Sequence, residues 1–316
     1  MDAPLHQSVL LDAVLRGLLP QPWDPDKESL WLDGTLGMGG HAEAILEAAG
    51  PKARLLGLDK DGQAREEASR RLAKWGERVS ILDRGFENMT LPAQDFLKGA
   101  PGFDGILLDL GVSSLQLDRA ERGFSFSKDA PLDMRMDQSR GLTAAQWLET
   151  QDEAGLKRVL REYGEEPRAG SVARHILAAR PLATTAALAA AVLKGAGPRK
   201  PGGGAHPATR SFQAIRIAVN GELDSLDSAL PQALGLLKVG GRLAVISFHS
   251  LEDRRVKQFI VRESTGCICP PSFPVCVCGH KPSVERVTHK ALVAGDDETA
   301  RNPRARSARL RIAQKL

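Results

Sequence analysis

The residues most suited to chemistry lie in a glycine-rich segment that follows an apolar run. Residues 32–41 contain a carboxylate, Asp33, followed by four glycines. Glycines between a strand and a helix let the backbone approach a ligand closely. Gly37 and Gly39 match the loose dinucleotide fingerprint, and Asp59, about 20 residues further on, could hold a ribose. The spacing predicts a nucleotide-type cofactor site, with a ligand-free structural turn as the alternative.

Asp33 separates two classes of cofactor. A carboxylate at a strand end beside a helix N-terminus would repel a pyrophosphate that needs the same amides, as in NAD. S-adenosylmethionine has no phosphate and carries an ammonium and a sulfonium, so the same carboxylate would attract it. Asp33 therefore favours S-adenosylmethionine. A plain helix N-cap is the structural alternative and is compatible with either cofactor.

A parallel sheet is needed to bring these residues together. Four apolar runs each end near an acidic or turn residue: 30–32, 54–58, 79–82 and 105–108. Two helix-like stretches, 40–49 and 63–75, separate the first three runs. This order predicts a doubly wound, Rossmann-like α/β fold, preceded by a helix over 8–19. The carboxyl ends of its strands line one crevice. Asp33, Asp59, Asp109 and residues 247–250 would share that edge.

The pattern changes between residues 117 and 205. No convincing strand pattern occurs there, and four stretches have helical patterns: 144–148, 153–163, 171–179 and 185–193. These stretches predict an inserted all-helical domain. Residues 195–204, rich in Gly, Pro and basic side chains, are expected to form a loop. A helix over 209–237, a turn at Gly240 and Gly241 and a strand over 242–247 then resume the sheet. The α/β domain would comprise 1–116 and 206–316.

Composition and charge limit the cellular location and the partners that this protein can have. The 316 residues exceed one average domain, the N-terminus lacks a secretory pattern, and no apolar run approaches the ~20 residues that span a bilayer. We therefore expect a cytoplasmic protein without a membrane partner. Residues 250–316 hold 13 Lys and Arg against 7 Asp and Glu, a modest hint of a polyanionic partner or a solvated charged surface.

Four arginines near the C-terminus alternate with apolar residues, as in a strand with one buried face. The arginines are Arg304, Arg306, Arg309 and Arg311. Their shared face could bind an RNA backbone with salt-sensitive affinity. It could equally place charge along an exposed sheet edge and so prevent that edge from pairing with another strand. The pattern leaves these two roles open.

All four cysteines fall within twelve residues, at Cys267, Cys269, Cys276 and Cys278. Four thiolates suit tetrahedral zinc, which would stabilise a Pro-rich loop with little apolar content to bury. Cys-x-Cys pairs are less typical of structural zinc than Cys-x-x-Cys, so reduced thiols or a disulfide are the alternatives. We expect any zinc to be structural and remote from catalysis.

Long strings of the chain resemble the MraW (RsmH) family of bacterial methyltransferases, which act on the exocyclic N4 of a cytidine in the decoding centre of 16S ribosomal RNA. The matching strings are 6–11, 33–41, 104–114, 121–126, 131–137, 206–214, 246–254 and 302–307. The resemblance implies a Rossmann-like S-adenosylmethionine-dependent methyltransferase with a helical insertion that recognises the RNA substrate. It implies cofactor contacts from Gly39, Gly40, His41, Asp59, Phe86, Asp109 and Gln116.

Asp109 and His249 are the candidate catalytic residues. Methylation of a cytosine N4 needs the amine in line with the sulfonium methyl. Asp109 could accept the amine hydrogens, or it could hold the ammonium of the methyl donor. His249 could relay a proton or contact RNA, although a histidine at a strand end is more often structural. Many amino-methyltransferases carry an Asn/Asp/Ser-Pro-Pro-aromatic string here, and this chain does not.

The expected partner is 16S ribosomal RNA within the small subunit or a late assembly intermediate, and no DNA partner is expected. Two other functions remain open at this point. A non-catalytic RNA-binding assembly factor would keep the fold but transfer no methyl group. A nicotinamide-dependent oxidoreductase would share the glycine loop and Asp59.

Overall fold

The computed structural model describes residues 8–197, 206–270, 273 and 275–316. The chain divides into two compact units, one formed by residues up to 111 together with 224–316 and the other by residues 112–223. The strands belong to the first unit, and the second is helical. Within the described ranges, no helix is both long and apolar enough to cross a membrane.

The first unit is built on one seven-stranded sheet. Its strands are β1 (Ser29–Asp33), β2 (Ala53–Asp59), β3 (Val79–Asp83), β4 (Phe103–Asp109), β5 (Leu237–Ser247), β6 (Val284–Arg286) and β7 (Arg309–Lys315). The spatial order is β3-β2-β1-β4-β5-β7-β6. The first five strands pair in parallel, and β7 is antiparallel to both β5 and β6. The order reverses between β1 and β4, where a doubly wound sheet opens its ligand crevice. The predicted α/β fold is confirmed.

The α-helices of the described residues are divided between the two units. They are α1 (Leu11–Leu18), α2 (Gly40–Ala49), α3 (Gly62–Leu72), α4 (Thr90–Leu97), α5 (Ser114–Asp118), α6 (Ala144–Glu149), α7 (Glu153–Glu162), α8 (Ala169–Ala178), α9 (Thr185–Ala196), α10 (Ala208–Asn220), α11 (Glu222–Leu236), α12 (Ser250–Glu263) and α13 (Asp296–Arg301). Helices α1 to α4 and α11 to α13 lie mainly in the first unit, and α5 to α10 lie in the second.

Two apolar cores lie on opposite faces of the sheet. Neighbouring residues of a strand point to opposite faces, so adjacent leucines and tryptophans separate into different cores. Trp31 and Leu55 pack with α1, α2 and α3. Leu32 and Leu56 pack with α4, α11 and α12. The sheet is therefore covered on both faces, and its carboxyl edge is left to carry polar chemistry.

The helical second unit has a core of its own, to which helices α6 to α10 contribute buried apolar side chains. It runs from residue 112 to 223, whereas the expected insertion was 117–205, because α10 packs Phe212 and Ile215 into this core. The loop expected over 195–204 overlaps the end of α9, and residues 198–204 lie outside the described ranges. Residues 6 and 7 of the first matching string also lie outside them.

The single helix expected over 209–237 is wrong. Two helices, α10 and α11, occupy that stretch, and Gly221 between them adopts a left-handed conformation with φ of 60°. A residue in that conformation ends a helix, and glycine adopts it without a Cβ penalty. The long apolar repeat therefore serves two helices.

The turn expected at Gly240 and Gly241 is also wrong. Both glycines lie inside β5, where the pairing with β4 shifts register: Phe103 pairs with Leu237, but Gly105 pairs with Arg242. The extra residues on β5 form an irregularity of the bulge type, and Gly240 has φ of 80° there.

The C-terminal arginines do not blunt a sheet edge, because β7 lies between β5 and β6. Arg311 is only 9% exposed and donates from Nε and Nη2 to the Asp253 carboxylate at 2.7 and 3.1 Å. Arg309 lies on the same face of β7 and remains exposed. The short 3-10 helix Pro303–Ser307 carries Arg304 and Arg306. The four arginines therefore have different roles despite their regular spacing.

A substitution of Gly105 would show how closely β4 packs against the Trp31 ring. A Cβ at this position of β4 would lie 2.5 Å from the ring of Trp31, which is fully buried. We expect Gly105→Ala to lower the free energy of unfolding by about 1–3 kcal/mol, because the ring has no room to move aside. Gly235→Ala on α11, where a Cβ would meet open space, should be neutral or slightly stabilising. Urea unfolding of both variants measures the difference, and equal effects would contradict this account.

Candidate active site

Three carboxylates end adjacent parallel strands at the carboxyl edge of the sheet. Asp33 ends β1, Asp59 ends β2 and Asp109 ends β4. Asp33 pairs in register with Gly57 and with Leu107, so each neighbouring strand continues two residues further to its own acid. The structure thus brings together the three acidic strand ends that the sequence predicted to share one edge.

Backbone hydrogen bonds hold the glycine-rich loop between β1 and α2. The Gly34 N–H donates to the Leu107 carbonyl and the Leu36 N–H donates to the Leu58 carbonyl, both at 2.9 Å. Gly39 has φ of 79° and directly precedes the first turn of α2. A Cβ on Gly40 would lie 2.3 Å from Ser8 Oγ, so a larger residue here would require the Ser8 hydroxyl to turn away.

Asp59 shapes this loop. Its Oδ2 accepts from the Gly37 N–H at 2.7 Å, and its Oδ1 accepts from the Asp61 N–H at 2.8 Å. Burial raises the pKa of Asp59, and these two amides lower it in part. A carboxylate has further lone pairs, so the ribose contact predicted for Asp59 remains chemically open.

Asp33 is almost completely buried beside Thr35, a residue that the sequence analysis missed. The carboxylate accepts from the Thr35 N–H at 3.1 Å and from its hydroxyl at 3.4 Å, and Thr35 Oγ1 accepts in turn from the Asp109 N–H. Burial raises the pKa of Asp33 to about 7; the Thr35 hydrogen bond opposes this rise and the charge of Asp59 adds to it. The sequence signal was present, because an Asp-x-Thr at a strand end favours such a turn.

Asp109 differs from the other two strand-end acids in having an unsatisfied carboxylate oxygen. Its Oδ1 is buried without a hydrogen-bond partner among the described residues. Burial raises its pKa well above the usual range, and the negative charges of Asp33 and Glu252 raise it further. A cationic group placed at Oδ1 would relieve both effects.

His41 approaches the other oxygen of Asp109. Its Nε2 lies 3.0 Å from the Val9 carbonyl, which can only accept, so Nε2 carries a hydrogen. Its Nδ1 lies 3.5 Å from Asp109 Oδ2. His41 Nδ1 and Asp109 Oδ2 attract each other only if one of the two atoms carries a proton. His41, implied as a cofactor contact, is thus placed to set the charge of Asp109.

His249 caps α12. Its Nδ1 accepts from the Glu252 N–H at 3.4 Å, and Glu252 Oε2 accepts from the backbone N–H groups of Phe248 and His249 at 2.8 and 3.2 Å. His249 Nε2 lies 3.2 Å from Glu252 Oε1, but the angles do not make a hydrogen bond. This capping role is the structural alternative, and the chemical role of His249 remains a prediction. Glu252 is a buried acid that sequence analysis missed, although a capping residue followed three positions later by Glu is a recognisable signal.

The remaining cofactor-contact candidates, Phe86 and Gln116, lie in different units. Phe86 begins a short 3-10 helix, Phe86–Asn88, and its Cβ packs against Gly34 of the glycine loop. Gln116 belongs to the second unit, where its Oε1 accepts from the Ser113 N–H in the capping box of α5. Both proposed contacts with the cofactor remain predictions.

The four cysteines come together on the surface of the first unit. Their Sγ atoms all lie within 4.8 Å of one another, and none is bonded as a disulfide. Cys267 Sγ lies 3.4 Å from Cys276 Sγ and 3.9 Å from Cys278 Sγ, and the latter two are 3.6 Å apart. The cluster is made entirely of residues after α12, away from the acidic strand ends in the sequence.

Fold and site together define a class of protein. A doubly wound sheet whose crevice presents three carboxylates beside a glycine-rich loop suits a nucleoside cofactor with positive charge, which is the arrangement of Rossmann-like S-adenosylmethionine-dependent methyltransferases. The chain belongs to the MraW methylase family, whose model matches residues 3–316. The resemblance drawn from the sequence strings is therefore confirmed.

Relatives of high similarity bear one name. "Ribosomal RNA small subunit methyltransferase H" of Syntrophotalea carbinolica is 52% identical over 98% of both chains. The protein of the same name from Geobacter sp. strain M21 is 51% identical, again over 98% of both chains. A crystal structure described as an rRNA methylase from Streptococcus thermophilus covers 99% of each chain at 12% identity with a TM-score of 0.43, too low to carry a conclusion.

The raised pKa of Asp33 predicts that the free energy of unfolding of the ligand-free protein depends on pH. A folded-state pKa of about 7, above the unfolded value of 3.8, means that stability is lost as the pH rises through this window. Asp33→Asn keeps an acceptor for Thr35 but cannot ionise. We expect its free energy of unfolding, relative to the wild type, to rise by on the order of 2 kcal/mol between pH 5 and pH 8.

Urea unfolding at the two pH values measures this change. The exposed Asp26→Asn is the matched control and should leave the pH dependence of the wild type unaltered. A parallel pH dependence in the wild type and Asp33→Asn would show that Asp33 does not carry a raised pKa.

Proposed function

We propose that this protein transfers a methyl group from S-adenosylmethionine to the exocyclic N4 of a cytidine in 16S ribosomal RNA. The observation that carries the cofactor half is the set of buried carboxylates at one sheet edge, with Asp109 Oδ1 lacking a partner among the described residues. The RNA half is supported by the relatives at about 50% identity, each named as a small-subunit ribosomal RNA methyltransferase.

The residues present fit the methyl donor. An ammonium has donors for Asp109 Oδ1, and a positive charge near Asp33 and Asp109 would lower the free energy of their ionised forms. Asp59 would meet the ribose, Gly39, Gly40 and His41 would approach through the loop and first turn of α2, and Phe86 would face the adenine. Gln116 would contact the methionine end. The donor supplies an activated methyl group on its sulfonium.

The chain would contribute positioning and one acceptor. The donor would supply the methyl group, and the target amine would have to lose one proton as it becomes methylated. Asp109 has two candidate tasks at this step: its carboxylate could accept the amine hydrogen, or it could orient the donor ammonium. His41 would tune the charge of Asp109 from its Nδ1 side. His249 would act through the position of α12, with a direct proton relay as the second candidate.

The setting follows from the substrate. We propose that the protein acts in the cytoplasm on 16S ribosomal RNA, within the small subunit or a late assembly intermediate. The helical second unit, residues 112–223, would recognise the RNA substrate. DNA is not an expected partner.

Methyl transfer can be tested directly. Labelled S-adenosylmethionine is incubated with the protein and small subunits from a strain that lacks the modification, and the label is mapped by mass spectrometry. We expect one labelled cytidine, methylated at N4, in 16S ribosomal RNA. Binding of RNA without transfer would instead establish an assembly factor and overturn the proposal.

Asp109→Asn separates the two tasks of this residue. We expect single-turnover methyl transfer at saturating donor and RNA to fall by about 100-fold, the scale for a positioned polar group. An unchanged dissociation constant for the donor would assign Asp109 to the amine, and a raised one would assign it to the ammonium. The exposed Asp95→Asn on α4 is the control. Wild-type rate and donor affinity in Asp109→Asn would remove Asp109 from the site.

We also propose that the four cysteines hold one structural zinc ion. Ligands at about 2.3 Å from a tetrahedral centre lie ~3.8 Å from one another, close to the three Sγ separations of 3.4 to 3.9 Å. The apolar side chains of this loop cannot explain its conformation, since Ile268, Val275 and Val277 are 48 to 71% exposed. The Val277 N–H directed at Cys269 Sγ resembles the support that thiolate ligands receive.

Metal analysis tests this zinc site. Protein purified without chelators or metal resin should contain about one zinc per chain, and a variant with all four cysteines changed to Ser should contain none. The variant should bind S-adenosylmethionine with unchanged affinity, because none of the four cysteines is among the proposed cofactor contacts. A folded wild-type protein without metal would exclude the site, and loss of donor binding in the variant would exclude a purely structural role.

A further inference from the structure

A second polar cavity of 510 Å³ lies within the first unit, beyond the acidic strand ends. It is bounded by the end of β5, the first turns of α12 and the segment that leads into β7. Its lining residues are Phe248, His249, Ser250, Asp253, Arg254, Lys257, Val293, Arg306, Ser307, Ala308 and Arg309. The methyl-transfer chemistry described above uses no part of this cavity except His249.

The cavity is strongly basic. Four of its lining residues are cations, Arg254, Lys257, Arg306 and Arg309, against one acid. That acid, Asp253, is already paired with buried Arg311 through a bidentate contact, and Arg309 Nη1 lies 3.4 Å from its Oδ2. Lys257 and Arg306 make no ion pair with any described acid. The positive charges of Lys257 and Arg306 on one cavity repel each other, so an anion between them would stabilise the arrangement.

The N-terminus of α12 adds little to this site. The side chains of His249 and Glu252 already accept from the N–H groups of Phe248, His249 and Glu252, and the first turn carries the negative charges of Glu252 and Asp253. Any anion would therefore be held mainly by the side chains of Lys257 and Arg306, since Arg309 already contacts Asp253. Guanidinium groups suit phosphate oxygens because they present paired donors.

The position of the cavity indicates which anion it takes. Asp109 pairs with Ile246, so the end of β4 adjoins the end of β5, from which Phe248 and His249 enter the cavity wall. The same sheet edge is thus acidic at β1, β2 and β4 and basic beyond β5. A nucleic acid that offers its base to the acidic crevice needs a separate place for its phosphates, since the carboxylates repel them.

We infer that this basic cavity binds a backbone phosphate of the RNA strand that carries the target base, with Lys257 and Arg306 as its principal contacts. This inference rests on the proposed function and specifies how that site holds its substrate. Phe248, Val293 and Ala308 give the cavity an apolar wall against which the attached sugar or a neighbouring base can pack. A cavity of this lining therefore suits a phosphodiester segment better than a free inorganic anion.

The test measures RNA affinity as a function of salt. A labelled fragment of 16S ribosomal RNA is titrated with the wild-type protein, with Lys257→Ala/Arg306→Ala, and with the control Arg16→Ala/Lys52→Ala. The control removes the same charge from exposed positions on α1 and before β2. We expect the cavity variant to bind RNA about tenfold more weakly and to reduce the slope of log affinity against log salt by about 1.5. Equal losses in both double variants would overturn the inference.

Two further readouts separate this inference from the proposed function. The cavity variant should keep the wild-type affinity for S-adenosylmethionine, and its methyl transfer should show a raised KM for RNA with little change in kcat. If the wild type binds RNA through the cavity but transfers no methyl group, the proposed activity fails while the phosphate site stands. Tight binding of inorganic phosphate alone, with unchanged RNA affinity in the cavity variant, would make this a small-anion site and overturn the inference.

Discussion

Burial of the carboxylates of Asp33, Asp59 and Asp109 is the constraint on which the carboxyl edge of the sheet depends, and the charges of Asp59 on Asp33 and of Asp33 on Asp109 add to its cost. Parallel pairing of β1 with β2 and β4 fixes the three carboxylates beside one another. Backbone amides of the glycine loop and the Thr35 hydroxyl offset part of this cost. The remainder is visible as raised pKa values and as the unpartnered oxygen of Asp109. A cationic cofactor would remove that remainder on binding, so the same feature that weakens the free protein gives the crevice its selectivity.

The glycine loop depends on these acids as much as they depend on it. Asp59 draws the Gly37 amide toward β2, and the Gly34 amide bonds to β4. A Cβ on Gly34 would lie 2.6 Å from Leu108, so the loop can pass between the strands only without side chains there. A rigid loop of this kind is prepared for its ligand before binding, which lowers the ordering cost that binding would otherwise carry.

Charge is separated along the sheet edge. The carboxylates of β1, β2 and β4 face the proposed donor, and the cations around α12 and β7 face the proposed RNA backbone. The buried pair of Asp253 and Arg311 lies where these regions meet and fixes α12 to β7. Arg309 also contacts Asp253, at 3.4 Å, and its side chain remains exposed. Two ligands of opposite charge could therefore approach one edge without competing for the same groups.

The sequence by itself determined the parallel sheet, the acidic strand ends, the glycine loop and the family. Local patterns suffice for these because an apolar run, a terminal acid and a glycine turn are each encoded within a few neighbouring residues. The structure alone decided that Thr35 links Asp33 to Asp109, that Glu252 adds its charge to Asp109, and that Arg311 is buried while Arg309 is exposed. It also placed Phe212 and Ile215 of α10 in the helical core. These facts depend on which distant segments meet, and a sequence pattern read along one segment carries no information about the partner that another segment will bring.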